Sequence, residues 1–243
     1  MPRVKRIPDG FDLAEALAGI RIDRGQPIGP QMYDALRMRI VDNRLPAGTP
    51  IHENDIAALC QVSRTPLRAA LQQLANEGLI STRPQVGSVV APRDRRRFLE
   101  ALFVRSAIER QIAARLARTG LDEAALAPIM ERQQEAGAID DYAAFFEADE
   151  AFHSLLARMA EVPNAWQLVQ TVKAHVDRER LILMSSIRGR SERAYRDHCR
   201  ILDAIRSGDS GKAAAEMAAH IDSVLDPTGA GPGIGRPVEL TLI

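Results

Sequence analysis

Apolar positions recur at helical spacing along most of the chain. Met32, Leu36 and Ile40 share one stripe at i, i+4, i+8, which predicts a first helix over Gly29 to Asn43. Leu45-Pro46-Ala47-Gly48-Thr49-Pro50 turns the chain. A second, short helix over Glu53 to Cys60 is expected to face Ile56 and Leu59 inward. Gln61-Val62-Ser63 is a tight connection, and Ser63 is placed to cap a third helix opened by Arg64-Thr65-Pro66-Leu67-Arg68. Pro66 is tolerated there because first-turn N–H groups lack intrahelical partners. That helix runs on through Ala70, Leu71 and Leu74 and stops at Gly78. Leu79 to Arg83 and Ser88 to Ala91 read as strands around Pro84-Gln85-Val86-Gly87. From about Arg93 to Asp226 the pattern is helical throughout. Breaks at Gly120-Leu121-Asp122, Gly137 to Asp140, Val162-Pro163-Asn164, Ser185 to Arg190 and Ser207 to Ser210 delimit about six helices.

Helix, short turn, helix, hairpin is the plan of a winged helix-turn-helix. The expected fold is therefore mainly α: an N-terminal winged helix-turn-helix with a small β-hairpin wing, then a C-terminal all-α antiparallel helical bundle. Residues 1–27, punctuated by Pro and Gly, read as a flexible N-terminal extension, although Phe11 to Ile20 could form a short helix. Residues 28–92 form the winged module and 93–226 the helical domain. The Pro- and Gly-rich 227–243 reads as a flexible tail.

Composition narrows the function. The chain has 243 residues, is 46% hydrophobic and 26% charged, and is only 4% aromatic; that is ordinary globular composition. Lys and Arg balance Asp and Glu at 32 each, which excludes a grossly basic nucleic-acid coat but not a local basic surface. Over residues 61–100, seven arginines meet three acids, a local +4. Cys60 and Cys199 form no CxxC pair, which excludes a thiolate zinc finger and fits a reducing compartment. No apolar run approaches the roughly 18 residues of a membrane helix, and no apolar stretch follows the basic Met1-Pro2-Arg3-Val4-Lys5-Arg6. A cytoplasmic protein with no membrane partner is expected.

The third helix carries legible chemistry. Arg64, Thr65 and Arg68 lie within one turn of Ser63, where a recognition helix presents donors to the major groove. Arg forks onto guanine or clamps a phosphate, and Thr reaches a phosphate or a thymine methyl. Gly87 at the hairpin tip lets backbone approach a sugar-phosphate wall, and Arg83 stands on the first strand. The bland alternative for any one of these arginines is a solvated charge.

In the helical half, His153, His198 and His220 each lie on an apolar face, and Asp149 precedes His153 by one turn. A single such histidine is ordinarily a core residue satisfied by one hydrogen bond. One carboxylate and three imidazoles in one interior require mutual satisfaction. A divalent ion, zinc first and nickel or manganese as alternatives, would supply it. His175 does not join this set.

Val62-Ser63-Arg64-Thr65-Pro66-Leu67-Arg68-Ala69-Ala70-Leu71 resembles the recognition-helix signature of the GntR family of bacterial transcription regulators. Leu45-Pro46-Ala47-Gly48 and Leu74-Ala75-Asn76-Glu77-Gly78-Leu79-Ile80 match its flanks. One departure is Asn54, where many members carry Arg. Asp149-Glu150-Ala151-Phe152-His153, Pro163-Asn164, Asp197-His198 and Ala218-Ala219-His220 resemble the FCD effector domain of the FadR subfamily. The resemblance implies that Asp149, His153, His198 and His220 hold a metal, that a small carboxylate effector binds at its open positions, and that Arg105 faces the pocket. The alternative for Arg105 is an ion pair with Glu109. The resemblance further implies a ligand-responsive, non-enzymatic regulator, a repressor of a metabolic operon. It would bind a pseudo-palindromic double-stranded DNA operator as a homodimer and be released by a small organic acid. Two other readings are a metal-dependent hydrolase with a DNA-binding appendage and a nucleoid protein with no effector.

Overall fold

The computed structural model describes residues 10–83 and 87–225, without the side chains at 83 and 183–185. The expected tail and the hairpin tip at 84–86 lie outside these residues. The chain forms two compact units. One runs to Leu99 and takes in Thr171–Leu181; the other comprises Glu100–Gln170 and the chain from Ile182.

In the first unit α1 (Leu13–Leu17), α2 (Ile28–Val41), α3 (Glu53–Leu59) and α4 (Arg64–Asn76) precede strands β1 (Ile80–Arg83) and β2 (Gly87–Val90). The α2 stripe of Met32, Leu36 and Ile40 is buried against Leu67, Ala70, Leu71 and Leu74 of α4. On α3 the inward pair is Ile56 and Ala57; Leu59, expected inside, is 44% exposed. The strands pair antiparallel from Ile80↔Val90 to Arg83↔Gly87. The 46–51 loop covers the other edge of β2, with Ile51 N–H donating to Ser88 O at 2.8 Å and Val90 N–H to Thr49 O at 2.9 Å.

Two expectations fail here. Residues 10–27 are not a loose extension: Asp12 caps α1 through Ala14 N–H, Ala16 and Leu17 are buried in the unit's core, and Phe11, Leu13 and Ile20 pack against it. Burying this apolar surface stabilises the ordered segment, and polar ties add to it. Arg39 Nη2 donates to Ala18 O at 2.7 Å and Arg24 Nη2 to Gln61 O at 3.1 Å. Ser63 does occupy the N-cap of α4 but makes no side-chain cap bond. A cap hydroxyl accepts from the second or third helical N–H, and the third residue is Pro66, which has none.

The second unit holds most of α5 (Arg95–Thr119), then α6 (Glu123–Ala138), α7 (Tyr142–Met159), the two ends of α8 (Pro163–Ser186), α9 (Arg190–Arg206), α10 (Ser210–Asp222) and a closing 3-10 turn, Ser223–Leu225. Asp122, Asp141 and Asp209 cap their helices by accepting from Ala125, Ala144 and Lys212 N–H. Asp140, in the break after α6, sits at φ +53° and accepts from Gly189 N–H. Helix α6 packs on α7 and α9, and α9 on α10. At Gly137 a Cβ would lie 3.3 Å from the Glu192 backbone, so a glycine permits the close approach of α6 to α9. Among the described residues no helix is long and apolar enough to cross a membrane.

Helix α8 departs from the expected division at residue 93. Its middle, Thr171–Leu181, belongs to the first unit, where Ala174 joins the core. Lys173, Asp177, Arg178 and Arg180 are buried there. Asp177 Oδ2 accepts from Lys173 Nζ at 2.6 Å and Arg37 Nη2 at 3.0 Å. Arg178 Nη1 donates to Ala91 O at 3.1 Å, and His175 Nε2 lies 2.8 Å from Glu77 O.

Candidate functional site

The helical pattern of the second unit sends four side chains to one point. Asp149 and His153, one turn apart on α7, meet His198 of α9 and His220 of α10, all buried. Each offers a ligand atom within 4.8 Å of every other. His198 Nε2 lies 3.2 Å from His220 Nε2 and 3.6 Å from Asp149 Oδ1, while His153 Nε2 lies 3.9 Å from the same oxygen. A tetrahedral zinc with ligand bonds near 2.0–2.1 Å sets its ligand atoms about 3.3 Å apart, close to these spacings.

The outer nitrogens face polar groups on three different helices. His153 Nδ1 lies 2.6 Å from Glu109 Oε2 on α5, and Glu109 is itself gripped by Arg105 Nε at 2.7 Å. His198 Nδ1 lies 2.6 Å from Gln133 Oε1 on α6. His220 Nδ1 faces Asp197 Oδ2 at 3.5 Å, and Asp197 also pairs with Arg200. With protons on the outer nitrogens, three Nε2 lone pairs converge beside a carboxylate. Buried His153 Nε2 has no hydrogen-bond partner. Desolvation of such a group is costly, and a divalent cation relieves it. The residues therefore fit a metal: three imidazoles and a carboxylate, with outer partners of the kind that orient metal-bound histidine.

The local electrostatics agree. Burial pushes the Glu109 carboxyl up, but the Arg105 guanidinium and the His153 ring outweigh it and hold it well below its usual range. Asp197 is likewise pushed up by burial and pulled further down by His220 and Arg200. Burial lowers the His220 imidazole despite Asp197, favouring the neutral ring that a metal requires. Arg105 thus lies in a buried ion pair with Glu109, one link from the cluster. Rings enclose the centre: Phe152 stacks on His198 with centroids 4.1 Å apart, and Trp166 on His153 at 5.9 Å.

Sequence reasoning named the four ligand candidates and missed their partners. Asp197 stands beside His198 in the chain, and Glu109 is the i+4 neighbour of Arg105. Gln133, by contrast, looks like any surface glutamine until the helices are assembled, yet it is fully buried.

In the first unit, Ser63, Arg64, Thr65 and Arg68 are all exposed at the start of α4, while Leu67 and Ala70 between them face the core. Both arginines meet one carboxylate of α3. Glu53 Oε2 accepts from Arg68 Nε at 2.6 Å and lies 3.6 Å from Arg64 Nη2. Bound through Nε, Arg68 keeps its outer guanidinium edge for a base or a phosphate. Gly87 is exposed at φ +88° with open space where a Cβ would stand, so its role is conformational. The Arg83 side chain lies outside the described residues.

An exposed helix-turn-helix with its wing, followed in the chain by a helical domain enclosing a buried polar centre, is the architecture of a DNA-binding regulator. Comparison with known proteins identifies the family. Residues 29–90 match bacterial regulatory proteins of the gntR family, and residues 100–223 match the FCD domain. The chain is 33% identical over 210 residues to the HTH-type transcriptional repressor RspR of Escherichia coli K12, covering 82% of this chain and 88% of that one. It is 30% identical over 226 residues to the gluconate operon transcriptional repressor of Bacillus subtilis, covering 88% and 86%. Among solved structures, E. coli McbR/YncC superposes with a TM-score of 0.69 at 18% identity over 81% of this chain and 94% of that one, which establishes the shared fold. This chain belongs to the GntR family of transcription regulators, with an FCD domain at its C-terminal side.

Proposed function

We propose that this protein represses a metabolic operon by binding a pseudo-palindromic operator as a homodimer, and that a small carboxylate at a divalent metal held by Asp149, His153, His198 and His220 releases it. The observation that carries the reading is the convergence of three Nε2 atoms and one carboxylate oxygen within 4.8 Å in a buried setting. An ion that accepts five or six ligands keeps positions for a carboxylate beside these four. The repressor of a gluconate operon among the relatives supports an organic acid as the effector class. Ser63, Arg64, Thr65, Arg68 and Gly87 carry the DNA contact, with Arg83 placed on the wing. Exposed Phe103 and Ile139 on the second unit, at 62% and 77%, are apolar surface suited to self-association. Arg105 acts here through Glu109 and His153.

Effector binding alters DNA affinity only through a difference in its affinity for the two states. Elemental analysis of the untagged protein beside His198→Ala, followed by gel-shift titration against the DNA upstream of its own gene with a panel of small carboxylates, tests the whole reading. About one divalent ion per chain, lost in the variant, and operator release by a carboxylate in the wild type alone are expected. A protein free of metal after incubation with zinc, nickel and manganese returns the histidines to an ordinary core role.

A further inference from the structure

We infer that Gln133 is the positioning residue of the metal centre: it fixes His198 in the Nδ1–H tautomer, and it ties that ring to the backbone that carries Asp149. The inference rests on the proposed metal site and goes beyond its ligands.

The chemistry follows from donors and acceptors alone. Gln133 Nε2 lies 3.1 Å from Ala148 O. A carbonyl only accepts, so the amide nitrogen of Gln133 must face it. That leaves Gln133 Oε1, also only an acceptor, against His198 Nδ1 at 2.6 Å. Nδ1 therefore holds the proton, and Nε2 presents its lone pair inward, 3.2 Å from His220 Nε2 and 3.6 Å from Asp149 Oδ1. Gln133, Ala148 and His198 sit on α6, α7 and α9, so one fully buried amide spans three helices. It reaches the peptide unit just before Asp149 and the ring of a second ligand candidate together. The other two histidines face carboxylates with their own arginines. Gln133 sets its ligand without adding charge. Losing such a partner ordinarily costs about 10–100-fold in metal affinity.

The test compares wild type, Gln133→Met and Gln133→Glu in the full-length protein. Long-range ¹⁵N–¹H NMR of the imidazoles in metal-free protein reads the tautomer, and cobalt(II) titration reads affinity and the ligand-field band. We expect Nδ1–H at His198 in the wild type, its loss in Gln133→Met, and roughly 10–100-fold weaker cobalt binding there with a shifted band. Gln133→Glu keeps an acceptor opposite Nδ1 but loses the donor to Ala148 O, so it is expected to keep the Nδ1–H tautomer at His198 while binding cobalt more weakly than wild type. An Nε2–H tautomer in the wild type overturns the inference, as does unchanged cobalt affinity in a folded Gln133→Met. Should Gln133→Met not fold, an Nε2–H tautomer at His198 in Gln133→Glu overturns it. A wild type that binds no cobalt overturns the metal reading itself and is seen before any variant is compared.

Discussion

At the scale of the residue, the two units use charge differently. Arg64 and Arg68 are exposed and share the Glu53 carboxylate, a contact that solvent weakens and that preorganises Arg68 more than it stabilises the fold. Arg68→Ala is expected to weaken operator binding by about 1–3 kcal/mol, roughly 5–150-fold, while metal content stays unchanged. Titrating operator and scrambled DNA at several salt concentrations checks it. A loss confined to the operator marks a base contact, and an equal loss on both with a shallower salt slope marks a phosphate contact. Gly87→Ala meets no atom within 4 Å, so its cost is the backbone at φ +88° alone, about 1–2 kcal/mol in a urea melt. The four ligand candidates were legible from the sequence because imidazoles on apolar helix faces are conspicuous. Gln133 and Glu109 were not, since a polar side chain one turn from anything reads as solvent-facing until other helices close over it.

At the scale of the element, α8 is where pattern reading and structure part. The α2 and α4 stripes announced their burial, because apolar spacing near 3.6 residues has a single reading. Lys173, Asp177, Arg178 and Arg180 on α8 are charged, yet all four are buried. Arg37 and the carbonyl of Ala91 meet this cluster, partners remote in sequence and invisible to a local window. The same distance hid the join between the 171–181 segment and the N-terminal unit. His175 makes that join pH-sensitive. Burial pushes its imidazole below the reference value of 6.5, outweighing its bond to Glu77 O, and Arg97 and Arg178 push it further down. A depressed folded value means the neutral ring is favoured. Its contribution is thus present above about pH 6.5 and lost as pH falls through the folded value. His175→Gln keeps a donor toward Glu77 O and removes the proton uptake. The loss of unfolding free energy between pH 7.5 and 5.5 is expected to be smaller in the variant than in the wild type. Equal losses would assign the acid sensitivity to other groups; Glu77, whose carboxyl burial raises, is not one of them, because its pH dependence has the opposite sign.

At the scale of the whole molecule, the metal reading carries a thermodynamic consequence that needs no operator and no effector. Four groups from α7, α9 and α10 converge in a buried centre, and an unfolded chain does not bring them together. An ion that binds only the folded protein stabilises it by RT ln(1 + [L]/Kd), about 2.7 kcal/mol at a hundredfold excess over Kd. For a chain of this length each kcal/mol moves the melting temperature by about 2–4 °C, so chelator-treated protein given zinc or manganese should melt roughly 5–10 °C higher. The shift should vanish in His198→Ala and persist in Arg68→Ala, whose side chain lies in the other unit. Adding a small carboxylate after the metal is expected to raise the midpoint again if it completes the ion's coordination, and to do nothing in metal-free protein. A carboxylate that shifts the midpoint equally with and without metal would move the effector site away from the ion. It would then have to lie beside some other charge of the helical unit.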